Sequence, residues 1–252
     1  MQHAGAGPHS VRLLLLRAAA LRGGATCDAG EADAKVVAML ELNPEHRWVF
    51  IGDSITDCGR GDDPEGLGNG YVRLIRDHLL ARSPDRAPKV INKGISGDRV
   101  LELAARWEQD VIAAHPQVLS IKIGINDVWR QLNPASAHQG VSVEDYLATY
   151  GKLLDDAIGA DPGIRIVLCE PSVISPPQPA EGNARLKPYV AAVRRLAAEH
   201  PEHVVCVAGL HAACLAAERA RPEVKWWPDG VHPSSAGHMV LARTWMGAAG
   251  VL

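Results

Sequence analysis

The chain has 252 residues, 47% of them hydrophobic, and 26 basic against 29 acidic side chains give a formal net charge of −3. That length suits one α/β domain, or one domain with a tail, and supplies enough apolar residues for a sizeable core. The near balance of charge gives no electrostatic support to a nucleic-acid or membrane-surface role.

Residues 1–45 read as an N-terminal extension, distinct from a domain over 46–252. The apolar run "VRLLLLRAAAL" is broken by Arg17. It is too short to cross a bilayer, and no clean A-x-A cleavage site follows it. A short amphipathic helix is expected over 32–41, and Met39 is a candidate natural start. The weak leader makes the cytoplasm the expected location, with secretion as the alternative.

From Arg47 onward, strand and helix signals alternate. "RWVFI" (47–51), "KVINK" (89–93), "VLSIKIG" (118–124), "IRIVLCE" (164–170) and "HVVCVA" (203–208) are short, nearly continuous apolar runs. Such runs suit strands buried on both faces of a parallel sheet. Between them, apolar residues recur at helical spacing: Tyr71 to Leu79, Val100 to Val111, Tyr146 to Ile158 and Leu186 to Leu196. A last helix is expected over about 235–247, with Ser234 as its cap after Pro233. The order βαβαβαβαβα predicts right-handed crossovers and a three-layer α/β/α sandwich. Two long loops, 56–69 and the Pro-rich "PSVISPPQPAEGNA" (171–184), follow expected strand ends. In open parallel sheets that edge is where ligands bind.

The five cysteines are Cys27, Cys58, Cys169, Cys206 and Cys214. They show no CxxC or Cys/His ligand spacing, which argues against a zinc site or a disulfide framework. Cys169 and Cys206 lie in strand-like runs and are expected as buried thiols, which mildly favours a reducing compartment. Cys58 is expected to be inert and partly buried.

Ser54 directly follows the first core strand, in "VFIGDSITD". On its own it would serve as a helix cap. As a nucleophile it needs a base, most often a histidine oriented by a carboxylate. One stretch offers both: "WWPDGVHPSSAGH", in which Asp229 and His232 are three residues apart. One loop can then present Asp229 to one ring nitrogen while the other faces Ser54. Pro228, Gly230 and Pro233 would stiffen it. Acyl transfer also needs oxyanion donors. The Ser54 N–H, the Gly97 N–H of "NKGISGD" and the Asn126 side chain of "GINDVW" all fall at strand ends on the same edge. The competing readings are a turn-closing Asn126 and a Gly97 needed only for positive φ.

In order and spacing, Gly52-Asp53-Ser54, Gly97, Gly124-Ile125-Asn126-Asp127 and Asp229-Gly230-Val231-His232 resemble the four blocks of the SGNH (GDSL) hydrolases. The resemblance covers roughly residues 47–247. "FIGDSITDCGR", "IGINDVWR" and "DGVHPSSAGHMVLAR" are similar to a bacterial branch that includes acetylxylan esterases. It implies a flavodoxin-like sheet of five parallel strands. It also implies Ser54 as nucleophile, His232 as general base and acid, Asp229 as its orienter, and Ser54, Gly97 and Asn126 as the oxyanion hole. The sequence departs from the family pattern at Asp98-Arg99-Val100 and in the unmatched loop 171–184.

The expected reaction is removal of a short acyl group, acetyl above all, from a carbohydrate ester, with no metal or organic cofactor. A lipase, lysophospholipase or thioesterase of the same fold and a non-catalytic carbohydrate-binding relative are the rivals. A divalent-metal phosphoesterase using Asp53, Asp57 and His232 is a weaker one. Candidate substrate contacts are Asp53, Arg60, Trp129 and Trp227, with loop bracing as the competing role for Asp53. Arg130 is a further wall candidate. Asp127 is expected to brace its loop, and His238 to be non-catalytic. The expected partner is a small-molecule or oligosaccharide ester, not nucleic acid or membrane. A homo-oligomer fits the branch without being derivable from the residues.

Overall fold

A computed structural model describes residues 40–252. The expectations for residues 1–39, Met39 included, lie outside the described residues. Leu40 and Glu41, the end of the helix expected over 32–41, are not helical.

Five strands form one parallel sheet in the order β2-β1-β3-β4-β5. They are β1 (Arg47–Gly52), β2 (Lys89–Gly94), β3 (Val118–Lys122), β4 (Arg165–Cys169) and β5 (Val204–Ala208). Each coincides with an expected apolar run. β3 stops two residues short of its run because Gly124 turns the chain with φ +119°, a conformation that favours glycine. The interior strand β1 is buried from Trp48 through Gly52, so both its faces must be covered.

Two helix layers cover them. Helix α2 (Tyr71–Arg82) packs on α8 (Ser235–Ala248), which packs on α7 (Leu210–Ala220). On the other face α3 (Val100–Trp107) packs on α5 (Val143–Ala160), and α5 on α6 (Gly182–Glu199). Strand alternation sorts the core accordingly. Trp48 and Phe50 meet Trp245 of α8, with ring centroids 6.0 and 5.1 Å apart. The Trp245 indole N–H donates to Ser120 Oγ at 2.9 Å, so this large ring is buried without an orphaned donor. Tyr146, Tyr150 and Tyr189 form an edge-to-face cluster between α5 and α6.

Three differences from the sequence reading have physical causes. Helix α7 was not expected: its run "LHAACLAAERA" is so rich in alanine that little periodic contrast survives. The second helical stripe ends as an α-helix at Trp107 and continues through Glu108–Ile112 as a wider π turn, which still buries Val111. Cys206 is half-buried, not buried, because β5 is an edge strand. Burial still pushes the Cys169 and Cys206 thiols up to about 12, which leaves them unreactive. Ser234 caps α8 as expected, accepting from the Gly237 N–H. Among the described residues, no helix is long and apolar enough to cross a membrane.

Candidate active site

The site forms at the carboxyl edge of the sheet, where β1 ends against β3. A Cβ on Gly52 would lie 2.2 Å from the Lys122 carbonyl oxygen, so only glycine lets the two strands close up here. Asp53 then turns the chain. Its Oδ1 accepts from the Ile55 N–H at 3.0 Å and caps the short helix α1 (Ser54–Asp57). Helix α1 ends at once, with Cys58 in the left-handed region. Ser54 is therefore the first residue of a turn anchored at both ends.

The loop before α8 supplies the partner. His232 Nε2 lies 2.8 Å from Ser54 Oγ. His232 Nδ1 lies 2.6 Å from Asp229 Oδ2. A carboxylate only accepts, so Nδ1 carries a proton and Nε2 is free to accept from the serine hydroxyl. Asp229 Oδ1 accepts from the backbone N–H groups of His232 (2.7 Å) and Val231 (3.0 Å). Burial opposes ionisation of Asp229, but bonds from the His232 ring and these amides outweigh it and hold its carboxyl below the ordinary range. Gly230 has φ +85°, and a Cβ there would meet the Ser175 carbonyl at 2.1 Å.

Ser54, Gly97, Asn126 of the short helix α4 (Ile125–Trp129) and His232 line one cavity of about 820 Å³. Gly97 has φ +87° with room for a Cβ, so its backbone conformation is what calls for glycine. The Asn126 amide donates to the Asp98 carbonyl at 3.0 Å, which fixes which end of the amide faces the loop. Asp98 is itself held by Arg106 (2.8 Å), whose guanidinium also donates to the carbonyls of Lys93 (2.7 Å) and Gly52 (3.2 Å). One half-buried cation thus ties the ends of β1 and β2 to the Gly97 loop. Asp127 is fully buried, and its Oδ1 accepts from the Val100 N–H at 3.1 Å. Burial pushes its carboxyl up to about 7.

Of the four expected substrate contacts, the structure brings one to the cavity. Trp129 is on the wall, edge-on to His232 with ring centroids 6.0 Å apart. Asp53 is completely buried and pairs with the equally buried Lys122 Nζ at 3.5 Å, so it faces the core and not a ligand. Arg60 turns away, donating to the Gly94 carbonyl. Trp227 is only 5% exposed and lines a separate depression with Pro222 and Trp226, because its ring packs against Gly237 of α8. Arg130 does line the cavity. His238 is buried behind α1, accepting from the Tyr71 N–H at 3.2 Å, with Cys58 Sγ 3.4 Å from its Nε2. Asp57 accepts from Ser96 Oγ at 2.7 Å. Among the described residues, no group of three or more His, Cys, Asp or Glu side chains could hold an ion.

Sequence reasoning missed Lys122, Arg106, Ser96, Asn133, Ser136 and Gln178. Lys122 left a visible signal: a lone lysine inside a strand buried on both faces requires a buried carboxylate. The polar wall residues left none, since serine, asparagine and glutamine in loops are ordinary.

A family model described as the GDSL-like Lipase/Acylhydrolase family matches residues 50–240. An acetylxylan esterase from Geobacillus stearothermophilus is 38% identical over 214 residues, which span 82% of this chain and 95% of that protein. The crystal structure of an acetylxylan esterase from the same organism matches with a TM-score of 0.74 and 36% identity, covering 84% of this chain and 97% of the other. The crystal structure of an alpha/beta hydrolase enzyme from the metagenome of Lake Arreo, Spain, matches with a TM-score of 0.74 and 34% identity over 83% of this chain and 97% of the other.

Proposed function

This chain belongs to the GDSL-like lipase/acylhydrolase family, and on that premise we propose that it is a serine esterase removing short acyl groups, acetyl above all, from carbohydrate esters. The observation that carries the reading is the relay from Asp229 Oδ2 to His232 Nδ1 (2.6 Å) and from His232 Nε2 to Ser54 Oγ (2.8 Å), opening on a cavity lined by Gly97 and Asn126.

In the reaction, Ser54 Oγ attacks the ester carbonyl carbon as His232 Nε2 takes its proton. Asp229 stabilises the imidazolium so formed. The carbonyl oxygen becomes an oxyanion, and the Ser54 N–H, the Gly97 N–H and the second hydrogen of the Asn126 amide are its donors. The intermediate collapses when His232 returns the proton to the sugar oxygen, leaving an acyl-serine. Water then attacks that ester with His232 again as base, releasing the carboxylic acid and restoring Ser54. The wall sets the apolar faces of Trp129, Leu132, Pro134 and Pro179 beside the polar side chains of Arg130, Asn133 and Ser136, a mixture that suits the ring faces and hydroxyls of a sugar ester. The acetylxylan esterase relative supports acetylated xylo-oligosaccharides as the first substrates to try.

The test is acetate release from acetylated xylo-oligosaccharides by the parent protein and by Ser54→Ala. Release is expected to fall by roughly a million-fold in the variant, with the thermal midpoint preserved. Activity retained without Ser54 would overturn the mechanism. A preference for acyl chains of about eight carbons or more, which require an extended apolar groove, would overturn the substrate class.

A further inference from the structure

The Pro-rich loop after β4 matched no family block, yet it reaches the relay. Its Gln178 makes two side-chain hydrogen bonds. Oε1 accepts from the Trp129 indole N–H at 2.8 Å. Nε2 donates to the Asp229 backbone carbonyl at 2.8 Å. The indole can only donate and the carbonyl can only accept, so the orientation of the amide is determined. Around this bridge the loop lies directly on the Asp229–His232 turn. The Ser175 N–H donates to the Gly230 carbonyl at 2.8 Å, and the Gln178 N–H to the Ser175 carbonyl at 3.0 Å. A Cβ on Gly230 would fall 2.8 Å from Gln178 Cγ.

The two groups that Gln178 holds are the two that flank the imidazole. Asp229 fixes the His232 ring through Nδ1, and Trp129 stands edge-on to it. The His232 and Asp229 side chains are themselves 41% and 49% exposed, so burial alone does not immobilise them. We propose that Gln178 is a positioning residue that sets the orientation of His232 by clamping the Asp229 turn to the Trp129 wall. This rests on the serine esterase mechanism proposed above. Gln178 supplies no proton and no charge. Its contribution is angular: it keeps Nε2 aimed at Ser54 Oγ through each proton transfer, where a displacement of about 1 Å is worth up to a hundredfold in rate.

The test compares p-nitrophenyl acetate hydrolysis by the parent, Gln178→Met and Gln178→Glu, each also in an Asp229→Asn background. Methionine keeps the shape and removes both bonds. Glutamate keeps the acceptor for Trp129 and loses the donor to Asp229. Both are expected to lower kcat roughly tenfold to hundredfold while KM stays within about twofold. With Asp229→Asn already disabling the orienter, either variant is expected to cost less than about a further fivefold, because the Asp229 arm of the clamp no longer acts and only the Trp129 contact still reaches His232. A merely structural residue would lower the thermal midpoint and cost the same factor in both backgrounds. Parent-like kcat in Gln178→Met, or full additivity with Asp229→Asn, would overturn the inference. Should Gln178→Met not fold, Gln178→Glu carries the same comparison. Ser54→Ala separates the two claims: activity that survives it defeats the esterase mechanism, whereas a dead Ser54→Ala beside an unaffected Gln178→Met defeats only the role of Gln178.

Discussion

The two halves of the relay are held in opposite ways. Ser54 stands on a floor of buried charge and close backbone contact: Gly52 wedged against the Lys122 carbonyl, Asp53 paired with Lys122 at zero exposure, and Arg106 bonded to the Gly52 carbonyl. His232 and Asp229 stand on a half-exposed turn held by a second loop. The nucleophile is therefore fixed by the core, and disturbing its support disturbs the fold. The base is fixed by loop-to-loop hydrogen bonds, and disturbing those mainly disturbs the reaction. Both halves must be held to within about 0.5 Å of the productive geometry, so the exposed half depends on the hydrogen bonds of the loop that supports it.

Substitutions in each region sharpen that contrast. The largest expected effect on stability is at the floor. Lys122→Met leaves Asp53 as an unpaired buried carboxylate and is expected to cost about 3–5 kcal/mol in urea unfolding. A loss below about 1 kcal/mol would mean that the pair does not support Ser54. Next comes His238, also behind the nucleophile. Burial first, then the charges of Lys122 and His232, lowers its pKa from 6.5 to about 4. The unfolded chain therefore binds a proton between those values that the folded one refuses. Stability is full above pH 6.5 and falls as the pH drops toward 4, by about 3 kcal/mol at the limit. Replacing this residue, His238→Gln, should flatten that part of a plot of thermal midpoint against pH, and an unchanged slope would exclude His238 as its source. The smallest stability effect is expected on the base side. Asp229→Asn, at a half-exposed side chain that keeps an oxygen for the Val231 and His232 N–H groups, should cost less than about 1 kcal/mol. It should nonetheless lower kcat about ten-thousandfold, because the amide no longer holds the His232 tautomer that accepts from Ser54. If kcat and stability instead fell in step, the distinction between the two regions would fail.

Much of the fold was legible because its strands leave continuous apolar runs: β1, β3 and β4 are buried on both faces, and the half-exposed edge strands β2 and β5 carry runs of the same kind. The residues brought together at the sheet edge were legible for the same reason: Ser54, Gly97, Asn126 and the Asp229–His232 pair each follow a strand end or precede a capped helix. What was not legible was direction. The alternation rule does not say that Asp53 faces inward to Lys122, that the Trp227 ring packs on Gly237, or that Arg60 reaches the Gly94 carbonyl. Those outcomes depend on tertiary partners 34 to 69 positions away for the two charged residues. Gln178 was hidden for another reason: in a loop with no periodicity, no residue type stands out until its partners are in place.

The edge-on contact between Trp129 and His232 has an optical consequence. A protonated imidazole beside an indole accepts its excited-state electron and quenches its emission, whereas the neutral ring does so far less. Trp129 is one of six tryptophans, and its share of the emission is the difference between the parent and a Trp129→Phe chain. That difference reports the protonation of His232 directly, in the resting protein, without any ester being turned over.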